Sequence, residues 1–259
     1  MRAQCLIREA LHYRRDAFIQ GLRAAGYEIA ATIDRPKADD VLVIWQRYGH
    51  YHELAQYFER RGARVLVAEN GYLGKHWAGG EWFALALGHH AGAGDWKALD
   101  DDRWDSLGIE LAPWREGGSE LVILGQRGIG EPGIASPDGW AERARQRFGG
   151  RIRKHPGNKE AEIPLDVDLR NASAVMTWAS GAALRALIMG IPVWYEMPQW
   201  IGAPAARPLE QFGKVEPLRD DAARLAMFRR LAWAQWRMDE IRSGLAFRVL
   251  LQGVEEIAL

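Results

Sequence analysis

The sequence is poor in cysteine, in long apolar runs and in net charge. Its 259 residues include one cysteine, Cys5, which excludes an intramolecular disulfide and a cysteine metal cluster. No stretch approaches the roughly 18 apolar residues that a membrane-spanning helix needs, and the N-terminus lacks the apolar segment of a secretion signal. Lys plus Arg and Asp plus Glu both number 34, so the chain has no overall charge that would attract nucleic acid or a membrane. We therefore expect a cytoplasmic protein without membrane insertion.

Short apolar runs alternate with amphipathic segments in two separate blocks of the chain. Runs such as VLVIW are typical of parallel strands that are covered on both faces. The predicted strands are 3–9, 28–32, 40–45, 64–69, 120–126, 150–155, 174–178 and 192–196, and the predicted helices are 14–27, 51–63, 138–148 and 181–190. The pattern predicts an α/β protein with two small doubly wound, Rossmann-like halves.

The alternation weakens between residues 74 and 117, where Gly, Trp and His are frequent and PWREGG precedes the second block. We place a boundary near Gly117, with a first domain over 1–117 and a second over 118–220. From Asp220 to about Leu251 the apolar spacing predicts one long helix. The segment 221–259 is therefore expected to close the structure as a helix that packs across both domains.

Two elements of the second block can bind an anion. Lys154 and His155 end a predicted strand, and Pro156 and Gly157 then turn the chain. In the second element Ser180 stands at the N-cap of an apolar helix that begins at Gly181. The free amides of such a helix attract negative charge. We expect His155 and this helix to follow neighbouring strands, although a loop histidine and an ordinary serine cap explain each motif separately.

A glycine-rich loop follows the strand LVILG. Gln126, Arg127 and Gly128 open this loop, whose amides and guanidinium can hold a phosphate or a sugar. The loop lacks the Gly-Lys-Ser/Thr ending of a Walker loop, and its spacing differs from the dinucleotide-binding fingerprint. The alternative is a surface turn without a ligand.

The segments LGQRG, KHPG and TWASGAALRALIMGIPVW resemble the carboxyl-terminal half of GT-B glycosyltransferases, in particular capsule-type Kdo transferases and CMP-sugar transferases. The resemblance covers about residues 120–200. It implies a GT-B-like fold and a nucleotide-sugar donor, either a UDP- or a CMP-sugar, without a further cofactor. It also implies that the second domain holds the donor through His155, Ser180 and Gln126, and that the first domain faces the acceptor.

The whole chain also resembles uncharacterised phage-encoded proteins, on the segments HYRRDAF, ENGYLG, PWR and AWAQW. This second resemblance implies an acceptor in phage DNA that carries a hydroxymethylated base. The basic tract at 143–154 and the many aromatic residues suit DNA from which a base is displaced. A solvated basic surface is the alternative.

Transfer of a sugar to a hydroxyl requires a group that accepts the hydroxyl proton. Glu69 ends the strand RVLVAE and is our preferred base, with Asp16 and the pair His89 and His90 as competitors. A role of Glu69 in a turn or a cap is the alternative. We predict no required metal, since adjacent histidines on a strand would face opposite sides and the acidic run at 99–105 is typical of a solvated turn.

Three functions stay open at this point. The first is a glycosyltransferase whose acceptor is either a modified base or a capsule- or lipopolysaccharide-type glycan. The second is a non-catalytic module that binds a nucleotide, and the third is a sugar-nucleotide epimerase. The fold does not distinguish them, because doubly wound halves occur in all three classes.

Overall fold

The computed structural model of the chain describes residues 1–157 and 163–253, which fall into two compact units. One unit combines Met1–Asp101 with Arg230–Leu259, and the other is Asp102–Arg229. The sequence placed the first boundary near Gly117, whereas residues 102–117 belong to the second unit. The segment 221–259, predicted as a closing helix that packs across both domains, is divided between the two units at Arg230.

The described residues form two sheets. In chain order the strands are β1 (Arg2–Cys5), β2 (Glu28–Ile29), β3 (Val41–Trp45), β4 (Arg64–Asn70), β5 (Trp82–Leu87), β6 (Glu120–Leu124), β7 (Arg151–Arg153), β8 (Ala172–Thr177), β9 (Val193–Tyr195), β10 (Arg207–Pro208) and β11 (Gln235–Arg237). The α-helices are α1 (Arg15–Ala24), α2 (His50–Glu59), α3 (Asp102–Asp105), α4 (Trp140–Phe148), α5 (Leu165–Asp168), α6 (Gly181–Ile188), α7 (Asp221–Ala232), α8 (Met238–Arg242) and α9 (Leu245–Phe247). A π-helical turn follows at Arg248–Gln252.

The sheet of the first unit has six strands in the order β11-β5-β4-β3-β1-β2. Strands β1 to β4 are parallel, and β5 and β11 add an antiparallel edge. Every residue of VLVI in β3 is buried, which agrees with a central strand covered on both faces. Helix α1 packs on this sheet through Phe18 and Leu22, both fully buried.

The sheet of the second unit has five parallel strands in the order β10-β9-β8-β6-β7. Helix α4 connects β6 to β7, and α6 connects β8 to β9, so both are crossover helices between adjacent parallel strands. Parallel strands present their carboxyl ends at one edge, where doubly wound proteins bind ligands. The prediction of two Rossmann-like α/β halves is confirmed.

The predicted helix from residue 220 to about 251 is wrong beyond Ala232. Helix α7 ends there, and Gln235 to Arg237 pair instead with strand β5 as the edge strand β11. Trp233 and Trp236 are fully buried at this point. Their burial and the hydrogen bonds to an open strand edge outweigh the helical preference of the sequence.

Candidate functional site

A cavity of about 320 Å³ lies at the carboxyl edge of the second sheet. Five of the seven residues predicted to bind the donor line this cavity: Gln126, Arg127, Gly128, Lys154 and His155. The first three follow β6 and the other two follow β7, and β6 and β7 are hydrogen-bonded neighbours. The parallel pairing therefore brings two motifs that are 28 residues apart in the chain (126 to 154) to one opening.

Close backbone approach shapes the loop after β6. Gly128 has a φ of 63°, in the left-handed region, and a Cβ atom on this residue would lie 2.9 Å from the carbonyl oxygen of Ser136. Ser136 lies just before α4 and also lines the cavity. Only glycine allows this turn and this approach together, so a side chain at position 128 would displace the loop from Ser136.

His155 presents a neutral imidazole to the cavity. Its Nδ1 atom accepts a hydrogen bond from the backbone N–H of Gly157 at 2.8 Å, which leaves the ring proton on Nε2. Desolvation and the nearby positive charge of Arg127 lower the pKa of His155 below its ordinary value. At neutral pH the imidazole is therefore a hydrogen-bond donor that suits a phosphate or carbonyl oxygen.

The serine motif forms the predicted helix cap, but it does not follow a strand that neighbours the strand of the histidine motif. Ser180 caps α6, since its Oγ accepts a hydrogen bond from Ala182 N at 3.2 Å, so the predicted N-cap is confirmed. Ser180 and Gly181 follow β8, and β6 lies between β8 and β7. The expectation that the histidine and serine motifs follow neighbouring strands is wrong, because strand order depends on pairings that are distant in sequence.

Gln126 joins the two motifs. It follows the intervening strand β6, and its side-chain Oε1 accepts a hydrogen bond from Ala179 N at 2.7 Å. Gln126 and His155 both line the cavity. Among the residues that the structure describes, Ser180 and Gly181 do not line it. Gln126 thus lines the cavity and also binds the residue before the α6 cap.

The start of helix α4 also lines the cavity, although no motif in the sequence had indicated a function for it. Gly139 and Trp140 stand at the N-terminus of this nine-residue helix, beside the carboxylates of Asp138 and Glu142. The indole N–H of Trp140 donates to Glu196 Oε2 at 2.6 Å. The segment SPDG, which interrupts the apolar pattern after a glycine-rich loop, is the signal that could have identified this helix start as part of the site.

Part of the basic tract is neutralised by acidic partners. Arg151 lies 2.9 Å from Glu120 and 3.0 Å from Asp168, and Arg153 also pairs with Asp168. Burial raises the pKa of Asp168, but the hydrogen bonds from Arg153 and Arg151 outweigh it and leave the pKa below its ordinary value. These two arginines therefore stabilise the fold around β7 and are paired already without a ligand.

Glu69, the preferred base, lies near the end of β4 in the first unit, where it is half-buried. Its Oε1 accepts a hydrogen bond from the backbone N–H of Ala91 at 2.6 Å. Desolvation raises the pKa of Glu69 to about 7, although the hydrogen bonds from Ala91 and Tyr72 act in the opposite direction. A carboxyl group with this pKa exchanges its proton near neutral pH, as a general base must.

His89 and His90 lie in the loop that follows β5 rather than on a strand. Their rings stack with centroids 4.7 Å apart and an interplanar angle of 23°. Nδ1 of His90 accepts a hydrogen bond from Arg47 N at 3.0 Å, and Nδ1 of His89 accepts one from His90 N at 2.9 Å. Desolvation and the second histidine lower the pKa of His89 to about 4. His89 is therefore neutral at pH 7 and a weaker base than Glu69.

Asp16 occupies the first turn of α1, where its side chain is exposed. It lies 3.5 Å from the guanidinium of Arg242. The surroundings of Asp16 suit a surface ion pair, whereas those of Glu69 suit proton exchange.

The described part of the chain holds neither a metal-binding cluster nor a membrane-spanning helix. Within residues 1–157 and 163–253, no group of three or more His, Cys, Asp or Glu side chains is arranged to hold a metal ion. Over the same residues, no helix combines the length and the apolar character that crossing a membrane requires.

The fold, with its two Rossmann-like halves, is of the GT-B-like class, and comparison with solved structures supports this assignment. One similar structure is Thermosulfurimonas dismutans KpsC, described as a beta Kdo 2,7 transferase. Its TM-score is 0.54, with 14% identity over 95% of this chain and 99% of that chain. A second is KpsC of the same organism, described as a beta Kdo 2,4 transferase, with a TM-score of 0.57 and 15% identity over 91% of each chain. No family model and no curated protein matches the sequence.

Proposed function

We propose that this protein is a glycosyltransferase that takes a sugar from a nucleotide-sugar donor. One observation carries the proposal: the charged side chains of Arg127 and Lys154 and the neutral imidazole of His155 meet the N-terminus of α4 at one cavity, on the ligand-binding edge of a parallel sheet. The nucleoside phosphate that leaves a nucleotide sugar is an anion, and donors placed around it stabilise the charge that develops during its departure.

The rest of the lining fits the neutral parts of such a donor. The carboxylates of Asp138 and Glu142 can accept hydrogen bonds from ribose or sugar hydroxyl groups. A cavity with both basic and acidic side chains suits a ligand that combines a phosphate with hydroxyl groups better than a simple anion.

The proposed reaction joins an acceptor hydroxyl oxygen to the anomeric carbon of the donor sugar. The bond from that carbon to the phosphate oxygen breaks, and the phosphate leaves with the electron pair. Glu69 accepts the proton of the acceptor hydroxyl. Its pKa of about 7 keeps a large fraction of the carboxyl groups ionised and ready to accept a proton at neutral pH.

The acceptor that we favour is a glycan hydroxyl. Two similar folds are described as Kdo transferases, which makes a CMP-linked Kdo the first donor to test. A groove for modified DNA would use the basic tract at 143–154, but Arg151 and Arg153 are paired with Glu120 and Asp168. The experiment therefore includes DNA with a hydroxymethylated base, the phage-type acceptor, as the second acceptor.

The experiment has two stages. Binding of CMP, UDP and GDP is measured by calorimetry, and the sugar nucleotide of the best binder is then offered with a glycan and with hydroxymethylated DNA. We expect His155→Ala to weaken nucleotide binding about tenfold or more, the value of one hydrogen bond to a charged oxygen. Lys154→Ala is compared with Lys214→Ala, which removes an equally exposed lysine of the same unit outside the cavity.

The outcomes distinguish the three classes of function. Product that carries the donor sugar supports the transferase, and Glu69→Gln should then abolish transfer while nucleotide binding persists. Binding without turnover on either acceptor indicates a non-catalytic module. An isomerised sugar nucleotide formed without any acceptor indicates an epimerase. Nucleotide binding that is identical in the wild type and in His155→Ala would refute the assignment of the cavity.

A further inference from the structure

A second cavity of the same unit, of about 300 Å³, lies at the carboxyl ends of β9 and β10. Tyr195 ends β9 and Pro208 ends β10, and the two residues are paired in the parallel sheet. We call this opening the tyrosine cavity, after Tyr195, and the cavity that contains His155 the histidine cavity. Both lie at the edge of the sheet where doubly wound proteins bind ligands.

A hydrogen bond connects the two cavities. Trp140 lines the histidine cavity, and its indole N–H donates at 2.6 Å to Oε2 of Glu196, which lines the tyrosine cavity. Helix α4 also contributes Arg147 to the tyrosine cavity, seven residues after Trp140 and thus on the same face of the helix. The two cavities are therefore close enough for one sugar nucleotide to reach both.

The charged side chains of the tyrosine cavity are not neutralised by one another. In the part of the chain that the structure describes, Arg147 forms no ion pair, and Glu210 forms neither an ion pair nor a side-chain hydrogen bond. Arg151 and Arg153 of the neighbouring strand β7, in contrast, have acidic partners. Opposite charges that line one cavity without pairing leave room for a ligand that contacts both.

The remaining lining is apolar and well packed. Leu209 is 4% exposed, and the ring of Tyr195 lies 5.7 Å from the buried ring of Trp200. Desolvation and the negative charge of Glu210 raise the pKa of Tyr195 above its ordinary value. The phenol therefore keeps its proton at neutral pH and can both donate and accept a hydrogen bond.

These side chains indicate the chemistry of a ligand. It has to donate hydrogen bonds to two carboxylates and accept them from a guanidinium, and a hydroxyl group does both. It also needs an apolar face for Leu209 and Pro208, as the C–H face of a sugar ring provides. The two carboxylates outnumber the one guanidinium, so a phosphate is disfavoured in this cavity.

We propose that the tyrosine cavity binds a sugar ring through its hydroxyl groups. This inference rests on the proposed function, because it places the sugar beside the nucleoside phosphate in the histidine cavity. Glu196 and Glu210 accept hydrogen bonds from the sugar hydroxyls, and Arg147 donates to the sugar oxygens. The ring belongs to the donor or to the end of the acceptor glycan, since both present the same groups.

The first test measures the affinity of the full chain for methyl β-D-glucopyranoside and methyl β-D-galactopyranoside, by titration with saturation-transfer NMR. Glu210→Ala and Arg147→Ala should each weaken binding about tenfold, because each removes a hydrogen bond to a charged group. Both side chains are exposed, so neither change disturbs the core. Glu196 is left unchanged because its loss would also remove the bond to Trp140.

The matched controls are Glu216→Ala and Arg145→Ala. Each removes an exposed side chain of the same charge in the same unit, outside the described lining of both cavities. The controls should bind the glycosides as the wild type does.

Competition distinguishes the two sources of the sugar. A glycoside that CMP-linked Kdo displaces and CMP does not occupies the position of the donor sugar. A glycoside that stays bound in the presence of CMP-linked Kdo occupies the position of the acceptor. Displacement by CMP itself would place the glycoside in the histidine cavity and overturn the assignment.

The failure of this inference differs from the failure of the proposed function. If neither glycoside binds the wild type, or if Glu210→Ala and Arg147→Ala bind as the controls do, the sugar site is refuted. Nucleotide binding that still depends on His155 would then leave the proposed function intact. Glycoside binding in a protein that binds no nucleotide would refute the proposed function and leave the sugar site.

Discussion

The side-chain oxygen of Gln126 lies 2.7 Å from the backbone nitrogen of Ala179 and accepts its hydrogen bond. This bond connects the loop after β6 to the residue that precedes the capped helix α6. One hydrogen bond therefore connects a residue of the cavity to the α6 cap. Among the described residues, the cap itself does not line the cavity. A change at Gln126 should consequently affect both.

Two substitutions at Gln126 separate its structural contact from the charge of the cavity. Gln126→Ala removes the bond to Ala179, so we expect lower stability, by about 1 kcal/mol, together with weaker nucleotide binding. Gln126→Glu keeps an oxygen that can accept from Ala179 but adds a negative charge beside Arg127 and His155. It should keep most of the stability and lose more affinity for anionic nucleotides, as measured by urea unfolding and calorimetry. Equal affinity in Gln126→Glu and the wild type would contradict an anion site here.

Ser180 should affect stability more directly than binding. Its Oγ accepts from Ala182 N at 3.2 Å, so Ser180→Ala leaves an amide of the first turn of α6 without its partner. We expect a loss of about 1 kcal/mol in the free energy of unfolding. Ser180→Asp is the control, because aspartate also caps a helix and its charge suits the helix dipole. A Ser180→Asp variant as unstable as Ser180→Ala would show that the cap contributes little.

The sequence predicted those parts of the site that depend on local signals. Apolar runs followed by glycine or proline located the ends of β6 and β7 to within two residues, and a serine before an apolar helix located the cap at Ser180. The order of the strands could not be predicted, because it depends on pairing between distant segments. The contact of Glu69 with Ala91 was missed for the same reason, since it joins residues that lie 22 positions apart.

The antiparallel strands β5 and β11 were also missed. The segment WFALAL of β5 lies among glycines and histidines, and the apolar residues of β11 continue the helical spacing of α7. Each strand is defined by its partner, since Trp236 pairs with Phe83 across the antiparallel edge. Pairing of this kind is a property of the folded unit, and local propensity carries little information about it.

The charge of Arg127 should have a measurable effect on the pKa of His155. Desolvation is the larger cause of the lowered pKa of His155, and repulsion from Arg127 is the second. Arg127→Gln should therefore raise the pKa of His155 and still leave it below 6.5, as followed by the ring-proton NMR signals. Arg170→Gln removes an exposed arginine of the same unit and should leave the titration unchanged. A pKa of His155 that is the same in Arg127→Gln and in the wild type would place the guanidinium too far away to share a ligand.

Glu69 should make the stability of the protein depend on pH. Its pKa is about 7 in the folded chain and 4.5 as the ordinary value, so between these limits the folded state binds more protons than the unfolded state. The protonated carboxyl group of Glu69 contributes its full stabilisation below pH 4.5. As the pH rises toward 7 and slightly beyond, the free energy of unfolding loses this contribution, which amounts to up to about 3 kcal/mol. Glu69→Gln removes this ionisation, so its free energy of unfolding should fall less than that of the wild type between pH 5 and about 8.

Urea unfolding at several pH values provides the measurement, and Glu53→Gln, which changes an exposed glutamate of helix α2, is the control. Parallel pH profiles for Glu69→Gln and the wild type would show that the carboxyl group of Glu69 ionises as it does in water, and Glu69 would then lose its advantage over Asp16 as the base.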